Sequence, residues 1–399
     1  MEKDKKYIKG NIAIIVTVLF LLFYCMMLKN TVKADENHPT DLYSRAFCIM
    51  DASNGRVLYG KDYETSYPMA STTKIMTCIL ALEYGNLDDI VTISPYAASM
   101  PDVQLNAKVD EQYRLEDLLY SLMLESHNDV AVAIAEHIGG SVTEFAALMN
   151  EKALDLGCNN TYYITPNGLD DSKADENGEE KVHSMSAYDL ARVMSYCIKN
   201  DDFCRITTTL SHTFSNISGT RKHTVNNKNT LLTTMDGVVS GKTGYTGDAG
   251  YCYVCAVERG DSVFTIALLG AGWPPNKNYK WQDVKKLINY GESNYFYKTI
   301  YEKEYYVKEL LVIDGVENSV WTYTDKSVAL NIKEGEKIDF GYEIDESLTA
   351  PVEKDSIVGN VKIYVNDTLY EVVPIKTYKS IKKRDFFFWI KKVADEFLP

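Results

Sequence analysis

The stretch from residue 236 to 271, DGVVSGKTGYTGDAGYCYVCAVERGDSVFTIALLGA, alternates β-branched or aromatic residues with glycine turns. This pattern predicts successive β-strands, so the fold must contain a sheet. The residues before this stretch have helical patterns. Two helices that break at ESHND and end at Gly139-Gly140 are predicted for LEDLLYSLMLESHNDVAVAIAEHIGG. A further helix, capped by Ser186, is predicted for SAYDLARVMSYCIKN.

Further elements flank these segments on both sides. From about Ser44, RAFCIMDASNGRVLYGKDYE predicts a β-hairpin, and a helix of roughly Trp281–Tyr297 follows the strands. We therefore expect a mixed α/β (α+β) domain over residues 40–300. Residues 304–377 consist of short strand-like runs separated by turn residues, which predicts a small all-β, sandwich-like domain.

The tail over residues 380–399 is basic and dense in aromatic residues. Wound as a helix, it places most charged residues opposite an apolar side, although Phe388 falls among the charges. Such an amphipathic helix is expected to lie in a membrane interface, with its lysines near anionic headgroups. The alternative is a helix docked on the protein's own core. The apolar side consists of Phe386, Trp389, Ile390, Val393 and Phe397.

Residues 1–34 have the features of an export signal. A lysine-rich start precedes the apolar run Ile12–Leu28, and Val32-Lys33-Ala34 suits cleavage after Ala34. An uncleaved anchor is the alternative, because the apolar run is at the short limit for a membrane span. Either way, we expect the body of the protein to lie outside the cytoplasm.

Charge and cysteine content exclude several classes of function. The net charge of −14 argues against nucleic-acid binding. Seven scattered cysteines outside the leader do not form a disulfide framework. Cys252 and Cys255 fall in a strand, where their side chains point to opposite faces, so both are expected to be packing residues. The six histidines show no paired ligand spacing, and no metal or cofactor is expected.

Ser71 and Lys74 lie three residues apart in YPMASTTKIMT, so on a helix they share one face. Ser-x-x-Lys alone is a weak signal, because about two chance matches are expected in a chain of this length, and Ser380–Lys383 is a second match. The other motifs strengthen it. ESHND supplies Ser126 and Asn128 in a helix break, and SGKTGYTG supplies Lys242, Thr243 and Gly244 in a strand.

These residue types suit nucleophilic catalysis by a serine. The Ser71 hydroxyl needs a base within hydrogen-bond reach, and Lys74 can serve if burial and the charge of Lys242 lower its pKa. Ser126 would relay a proton between Ser71 and the two lysines, and Asn128 would donate a hydrogen bond to the amide carbonyl of the substrate. Gly244 would let a substrate backbone lie close along the strand edge. The two oxyanion donors are expected to be the backbone N–H groups of Ser71 and Tyr245.

The chain resembles the low-molecular-mass penicillin-binding proteins that act as D-alanyl-D-alanine carboxypeptidases. Ser-x-x-Lys, Ser-x-Asn and Lys-Thr-Gly occur in that order, and ASTTKIMT, TPNGLDD, NTLLTTMDGVVSGKTGYTGDAGYC and GWPPNKNYKWQDVKKLINYG also resemble the family. The resemblance implies a serine transpeptidase/β-lactamase-like domain, with an antiparallel sheet flanked by helices. It also implies removal of D-alanine from peptidoglycan stem peptides through an acyl-enzyme, with β-lactam antibiotics as covalent inhibitors of the same serine.

Two positions depart from the family pattern. His127 stands where glycine or alanine is commoner, and the sequence does not indicate how its side chain is oriented. The family often binds the substrate carboxylate with an arginine after Lys-Thr-Gly. Lys280 is the nearest match here, sharing that task with Lys242 and Thr243, although Lys280 could equally be a solvated lysine at a helix start.

Three other functions compete with this interpretation. A class A β-lactamase would need a deacylating glutamate, but Glu176, Glu179 and Glu180 lie in a polar loop without the Glu-x-x-Leu-Asn string. An inactive wall-binding protein of the same fold is disfavoured because every motif residue is present. Transpeptidation stays open, since water and an amine compete for one acyl-enzyme. His183 and His212 are expected to be structural.

Overall fold

The computed structural model describes residues 38–174 and 177–397. The predicted export signal with Ala34 lies outside these residues, as does Glu176. One compact unit runs from Leu42 to the end of the chain and contains every helix and strand given below.

The helices fall mainly where the sequence predicts them. Leu115–Leu124 and Asn128–Gly139 are separated by a short break, and Gly140 ends the second helix in the left-handed conformation with a φ of 81°. The side chain of Ser186 caps the third predicted helix by accepting from Asp189 N. In chain order the helices are α1 Lys74–Tyr84, α2 Pro95–Ala98, α3 Leu115–Leu124, α4 Asn128–Gly139, α5 Val142–Asp155, α6 Ala187–Cys197, α7 Asp201–Thr208, α8 Leu231–Thr234, α9 Tyr279–Asn294 and α10 Phe386–Phe397.

An antiparallel sheet of five strands lies between two hydrophobic cores. Its order is β12-β13-β14-β1-β2, so β12 is an edge strand, and β1 with β2 forms the predicted hairpin. Cys252 packs in the core that includes residues of α1, α3 and α4, and Cys255 packs in the core that includes residues of α9. The two thiols therefore face opposite sides of the sheet, as predicted. The strands of this half are β1 Ala46–Asp51, β2 Val57–Lys61, β3 Ser66–Tyr67, β4 Ile90–Thr92, β5 Gln112–Arg114, β6 Thr161–Tyr162, β7 Ser172–Ala174, β8 Glu180–Val182, β9 Ser184–Ser186, β10 Ser211–Ser215, β11 Lys222–Asn226, β12 Val238–Thr246, β13 Gly250–Arg259 and β14 Ser262–Leu269.

The C-terminal part is all-β, followed by a terminal helix, which confirms the predicted fold class. Six strands form one sheet in the order β19-β21-β22-β17-β16-β20, and β15 pairs separately with β18. The strands are β15 Tyr295–Tyr301, β16 Glu309–Ile313, β17 Ser319–Tyr323, β18 Val328–Lys333, β19 Ile338–Ile344, β20 Ser347–Thr349, β21 Ile357–Val365 and β22 Thr368–Thr377.

The predicted helix of Trp281–Tyr297 is wrong at its C-terminal end. The helix stops at Asn294, and Tyr295–Tyr301 is strand β15, paired antiparallel with β18. The reason is tertiary: the aromatic and β-branched run YFYKTIY suits a strand, and β18 offers it a partner. The helical periodicity before Asn294 gave no sign of that partner.

A buried polar junction joins the two halves. The Asp51 carboxylate accepts from the backbone N and side-chain Nδ2 of Asn331 at 3.2 and 2.7 Å. Ser262 Oγ donates to Asn331 Oδ1 at 2.6 Å. Arg56 donates to the Asn331 carbonyl and pairs with Glu336. Asn331 therefore has its polar groups satisfied across the junction, which fixes the two halves relative to each other.

The terminal helix α10 begins at Phe386, later than the predicted start at residue 380. The preceding residues instead pair with the β domain, Ile381 with Val352 and Lys383 with Gly315. No residue of α10 is buried, so the alternative of a helix docked on the protein's core is wrong. Among the described residues, none of the helices combines the length and apolar character needed to cross a bilayer.

Candidate active site

Ser71 lies in a tight turn that leads into α1. Residues Ala70–Thr73 form a single 3₁₀ turn, and Ala70 has a positive φ of 50°. The hydroxyl of Thr73 donates to Ala70 O at 2.8 Å, and that of Thr72 donates to Met69 O at 2.6 Å. The small hydroxyl residues thus satisfy carbonyls at the helix entrance and present Ser71 and Lys74 on one face.

Lys74 Nζ lies 3.0 Å from Ser71 Oγ, and its side chain is completely buried. Its other two hydrogen bonds go to Asn128 Oδ1 at 2.8 Å and the backbone O of Asn167 at 2.5 Å. Burial, and secondly the charge of Lys242, hold the pKa of Lys74 well below its usual value. A neutral Lys74 amine can donate to the two carbonyl oxygens and accept the Ser71 proton.

Ser126 and Lys242 form a second hydroxyl–amine pair. Ser126 sits between α3 and α4 with a positive φ of 72°, and its Oγ accepts from Lys242 Nζ at 2.9 Å. Lys242 also donates to Thr243 O at 2.8 Å. Burial lowers the pKa of Lys242 to about 7. The structure thus brings Ser126 to Lys242, while Ser71 bonds to Lys74.

Asn128 and His127 are both buried beside the cleft. The Asn128 side chain accepts from Lys74 and donates from Nδ2 to Pro101 O at 3.1 Å, which leaves one N–H for a substrate. His127 is buried, with Nδ1 2.7 Å from Ser121 Oγ and Nε2 3.5 Å from a Glu125 oxygen. Burial lowers the pKa of His127. The extra bulk at position 127 is therefore accommodated inside the protein.

Gly244 is the point where β12 touches the Ser71 turn. A Cβ at position 244 would lie 2.9 Å from Ser71 N and 3.0 Å from both Ala70 Cβ and Thr72 N. The glycine therefore serves first to admit the nucleophile's turn against the edge strand. Tyr245, the next residue, is 44% exposed. The backbones of Ser71 and Tyr245, the expected oxyanion donors, flank this contact.

These residues surround a cleft of about 670 Å³. Seven of the nine predicted residues line it, while Lys74 and Asn128 lie behind its surface. Glu179 and Glu180, the candidates for a deacylating glutamate, are absent from the lining and lie near or in the exposed strand β8. The lining consists of Ser71, Val103, Leu124, Glu125, Ser126, Lys228, Thr230, Lys242, Thr243, Gly244, Tyr245, Tyr251, Lys277, Asn278, Lys280 and Trp281.

Lys280 is buried in the cleft wall, so its interpretation as a solvated lysine is wrong. Its side chain is only 6% exposed, and Nζ lies 4.6 Å from the ring centre of Tyr251 and 4.7 Å from that of Trp281. Nζ also donates to Lys277 O. Burial, and secondly the charge of Lys277, lower the pKa of Lys280 to about 8.

Sequence reasoning missed the backbone carbonyl of Asn167. It accepts from Lys74 Nζ at 2.5 Å and from Ser71 Oγ at 3.5 Å. The signal that could have indicated it is the Pro-Asn-Gly turn in TPNGLDD, since Gly168 has a φ of 83° and a Cβ there would lie 2.1 Å from Ala70 O. The turn residues were visible, but the partner of their carbonyl was not.

The remaining candidate groups have structural surroundings. His212 Nε2 lies 2.8 Å from Asp117 Oδ1, and its ring stacks on Tyr120. The seven cysteines of the described residues are free, and all except Cys204 are buried. Within the described ranges no three His, Cys, Asp or Glu side chains converge as a metal site requires.

Comparison with known proteins links this geometry to a family. The sequence profile of D-alanyl-D-alanine carboxypeptidases matches residues 31–272, and that of the penicillin-binding protein 5 C-terminal domain matches residues 295–383. D-alanyl-D-alanine carboxypeptidase DacF of Bacillus subtilis is 28% identical over 361 residues, which cover 88% of this chain and 90% of the relative.

A sequence and a crystal structure from Haemophilus influenzae give the same relationship. Its D-alanyl-D-alanine carboxypeptidase DacA is 30% identical over 339 residues, 81% of each chain. The crystal structure of its penicillin binding protein 5 superposes with a TM-score of 0.71 at 26% identity, and the match covers 86% of this chain and 99% of that structure. The similarity thus extends over both halves of the chain.

Proposed function

Since this chain belongs to the D-alanyl-D-alanine carboxypeptidase family, we propose that Ser71 is its acylated nucleophile and Lys74 the base that activates it. The enzyme is a serine hydrolase that removes the terminal D-alanine from peptidoglycan pentapeptide stems. One observation carries these roles: the Lys74 amine lies 3.0 Å from the Ser71 hydroxyl, in a buried position that lowers the pKa of the amine.

Acylation begins when the Ser71 proton moves to Lys74 Nζ and Oγ bonds to the carbonyl carbon of the penultimate D-alanine. The oxyanion accepts from the backbone N–H groups of Ser71 and Tyr245. As the peptide C–N bond breaks, Lys74 passes the proton it took from Ser71 to Ser126, and Ser126, whose hydroxyl accepts from Lys242, gives its own proton to the leaving amine. Lys74 is then neutral again. Water attacks the acyl ester, Lys74 takes a proton from that water, and the same proton passes to Ser71 Oγ as the ester C–O bond breaks.

Substrate orientation comes from the edge strand and the cleft wall. The stem peptide lies along β12, with its terminal carboxylate near the charges of Lys242 and Lys280 and the hydroxyl of Thr243. The free N–H of Asn128 donates to a substrate amide carbonyl, while its oxygen keeps Lys74 in place. No metal or cofactor takes part in these steps. A β-lactam acylates Ser71 from the same position.

Release of D-alanine from a peptide ending in D-Ala-D-Ala tests these roles. The Ser71→Ala variant should lose essentially all activity and all labelling by tagged penicillin. Ser380→Ala, in the second Ser-x-x-Lys sequence of the chain, is the matched control and should keep both. Unchanged activity in Ser71→Ala would refute the assignment.

The same assay separates the competing functions. Rapid turnover of penicillin would indicate a β-lactamase. Absence of labelling in the wild type would indicate an inactive wall-binding protein. Peptide coupling in place of hydrolysis would indicate a transpeptidase.

We propose a matching organisation for the rest of the chain. Residues 1–34 direct export, residues 40–300 form the catalytic domain, and residues 304–377 form a β domain between it and the membrane. The tail over 380–399 holds the protein on the outer face of the cytoplasmic membrane. This placement is supported by the exposure of Trp389, Ile390 and Val393 on α10 beside its basic residues.

A further inference from the structure

His183 is a buried histidine that connects two segments of the active site. Its Nδ1 accepts from the backbone N–H of Ile164 at 2.9 Å and of Thr165 at 3.3 Å. Its Nε2 lies 2.9 Å from Thr73 Oγ1. Because Nδ1 accepts, the proton must be on Nε2, which therefore donates to the Thr73 hydroxyl. That hydroxyl in turn donates to Ala70 O at 2.8 Å.

The segment that His183 holds on one side is the loop carrying Asn167. This loop is closed by Thr165, whose Oγ1 accepts from Gly168 N at 3.2 Å and donates to Leu169 O at 3.2 Å. Thr77 Oγ1 also donates to the carbonyl of Pro166 at 2.6 Å. The loop is thus packed directly against the segment that contains Ser71 and Lys74.

We propose that His183 is a positioning residue for acyl transfer. It holds the loop that carries Asn167 against the Ser71 turn. This contact fixes the position of the Asn167 carbonyl, which orients the Lys74 amine toward the Ser71 hydroxyl. The inference rests on the proposed roles of Ser71 and Lys74.

The chemistry of the imidazole suits this task. Burial, and secondly the charge of Lys74, lower the pKa of His183 to about 3. The ring is therefore neutral at neutral pH, and Nδ1 stays an acceptor. A protonated ring would lose that acceptor and would place a second charge beside Lys74.

Variants at Thr73 test the proposal without removing the buried ring. Thr73→Val keeps the side-chain shape but removes both hydroxyl bonds, and Thr73→Ser restores them. We expect Thr73→Val and His183→Asn to slow acylation by tagged penicillin by about 10- to 100-fold, because the misplaced amine is no longer aligned. The acylation rate should begin to fall at a higher pH as the solution is made more acidic, because water that reaches Lys74 raises the pKa of the Lys74 amine. Thr73→Ser should recover most of the rate.

His212→Asn is the matched control, because His212 also bonds to a neighbouring side chain, but its partners Asp117, Tyr120 and Phe214 belong neither to the Ser71 turn nor to the Asn167 loop. It should lower the melting temperature without changing the pH profile. A folded Thr73→Val protein with the wild-type rate and pH profile would overturn the proposal and leave His183 a purely structural residue. Absence of acylation in the wild type would instead refute the proposed function itself.

Discussion

Lys74 Nζ lies 3.0 Å from Ser71 Oγ, with the two residues one helical turn apart at the entrance of α1. A tight turn places the hydroxyl, and the helix buries the amine completely. The distance suits direct proton transfer, and burial holds the pKa of the amine well below its usual value, which favours the neutral form that a base requires. The three-residue spacing supplies the short distance, and burial in the folded protein supplies the lowered pKa.

Replacing the base should stop acylation. Lys74→Met removes the proton acceptor, so we expect the rate of labelling by tagged penicillin to fall by about 10³-fold or more. Lys74→Arg should not recover the rate, because a guanidinium does not give up its proton. The matched control is Lys383→Met in the second Ser-x-x-Lys sequence, which should react normally. Normal labelling of Lys74→Met would mean that another group is the base.

Removing Lys242 should abolish activity and stabilise the fold at low pH. The pKa of Lys242 is about 7 in the folded protein and about 10.4 in an unfolded chain. Below pH 7 both states hold the proton, so the folded state bears the full cost of the buried charge; between pH 7 and 10.4 the cost disappears and stability rises. At pH 6, Lys242→Met should raise the unfolding free energy by about 1–3 kcal/mol.

Urea denaturation at pH 6 and pH 10 measures this effect. The difference between variant and wild type should shrink at the higher pH. A variant that is less stable than the wild type at both pH values would contradict the prediction.

The charge of Lys280 should control substrate affinity at alkaline pH. Its pKa is lowered to about 8, so KM for a D-Ala-D-Ala peptide should rise as pH increases through that value and the ammonium is lost. Lys280→Arg should remove this rise, because the guanidinium stays charged. Lys280→Met should raise KM about 10-fold at pH 7. Lys285→Met, an exposed lysine on the same helix, is the control; equal KM values in both methionine variants would disprove the role.

Gly244→Ala should slow acylation through a clash with the nucleophile's own turn. The new Cβ would lie 2.9 Å from Ser71 N, so the turn must shift, and we expect a loss of about 10- to 100-fold in acylation rate. Gly247→Ala is the matched control, because a Cβ there meets no atom within 4 Å. The acylation rates of the two variants, measured with tagged penicillin, should differ. Similar rates would mean that the Ser71 turn can shift without slowing acylation.

Membrane binding should depend on the exposed apolar side of α10. We expect the double variant Ile390→Asp and Val393→Asp of the mature chain to lose co-flotation with vesicles of mixed neutral and anionic lipids, because aspartates oppose insertion into the interface. Lys391→Gln with Lys392→Gln should weaken binding less and reduce its salt dependence. Flotation of the aspartate variant at the wild-type level would place the membrane contact elsewhere.

The sequence predicted the order of elements and the motifs well, because both depend on local patterns. Ser71 and Lys74 are three residues apart, and the break that carries Ser126 is visible between two apolar helices. The contribution of Asn167 was not visible, since a backbone carbonyl is the same in every residue. Burial of Lys280 and the strand after Asn294 were missed for a related reason: each depends on a partner distant in sequence, Tyr251 in one case and β18 in the other.

The pairing of Ile381 with Val352, together with the bond from Arg384 N to Asp314 O at 2.8 Å, leaves almost no slack between the β domain and α10. On the proposal that α10 lies on a membrane, the short connection among the described residues would keep the β domain next to the bilayer surface. The distance of the catalytic cleft from that surface would then be set by the β domain and not by a flexible linker.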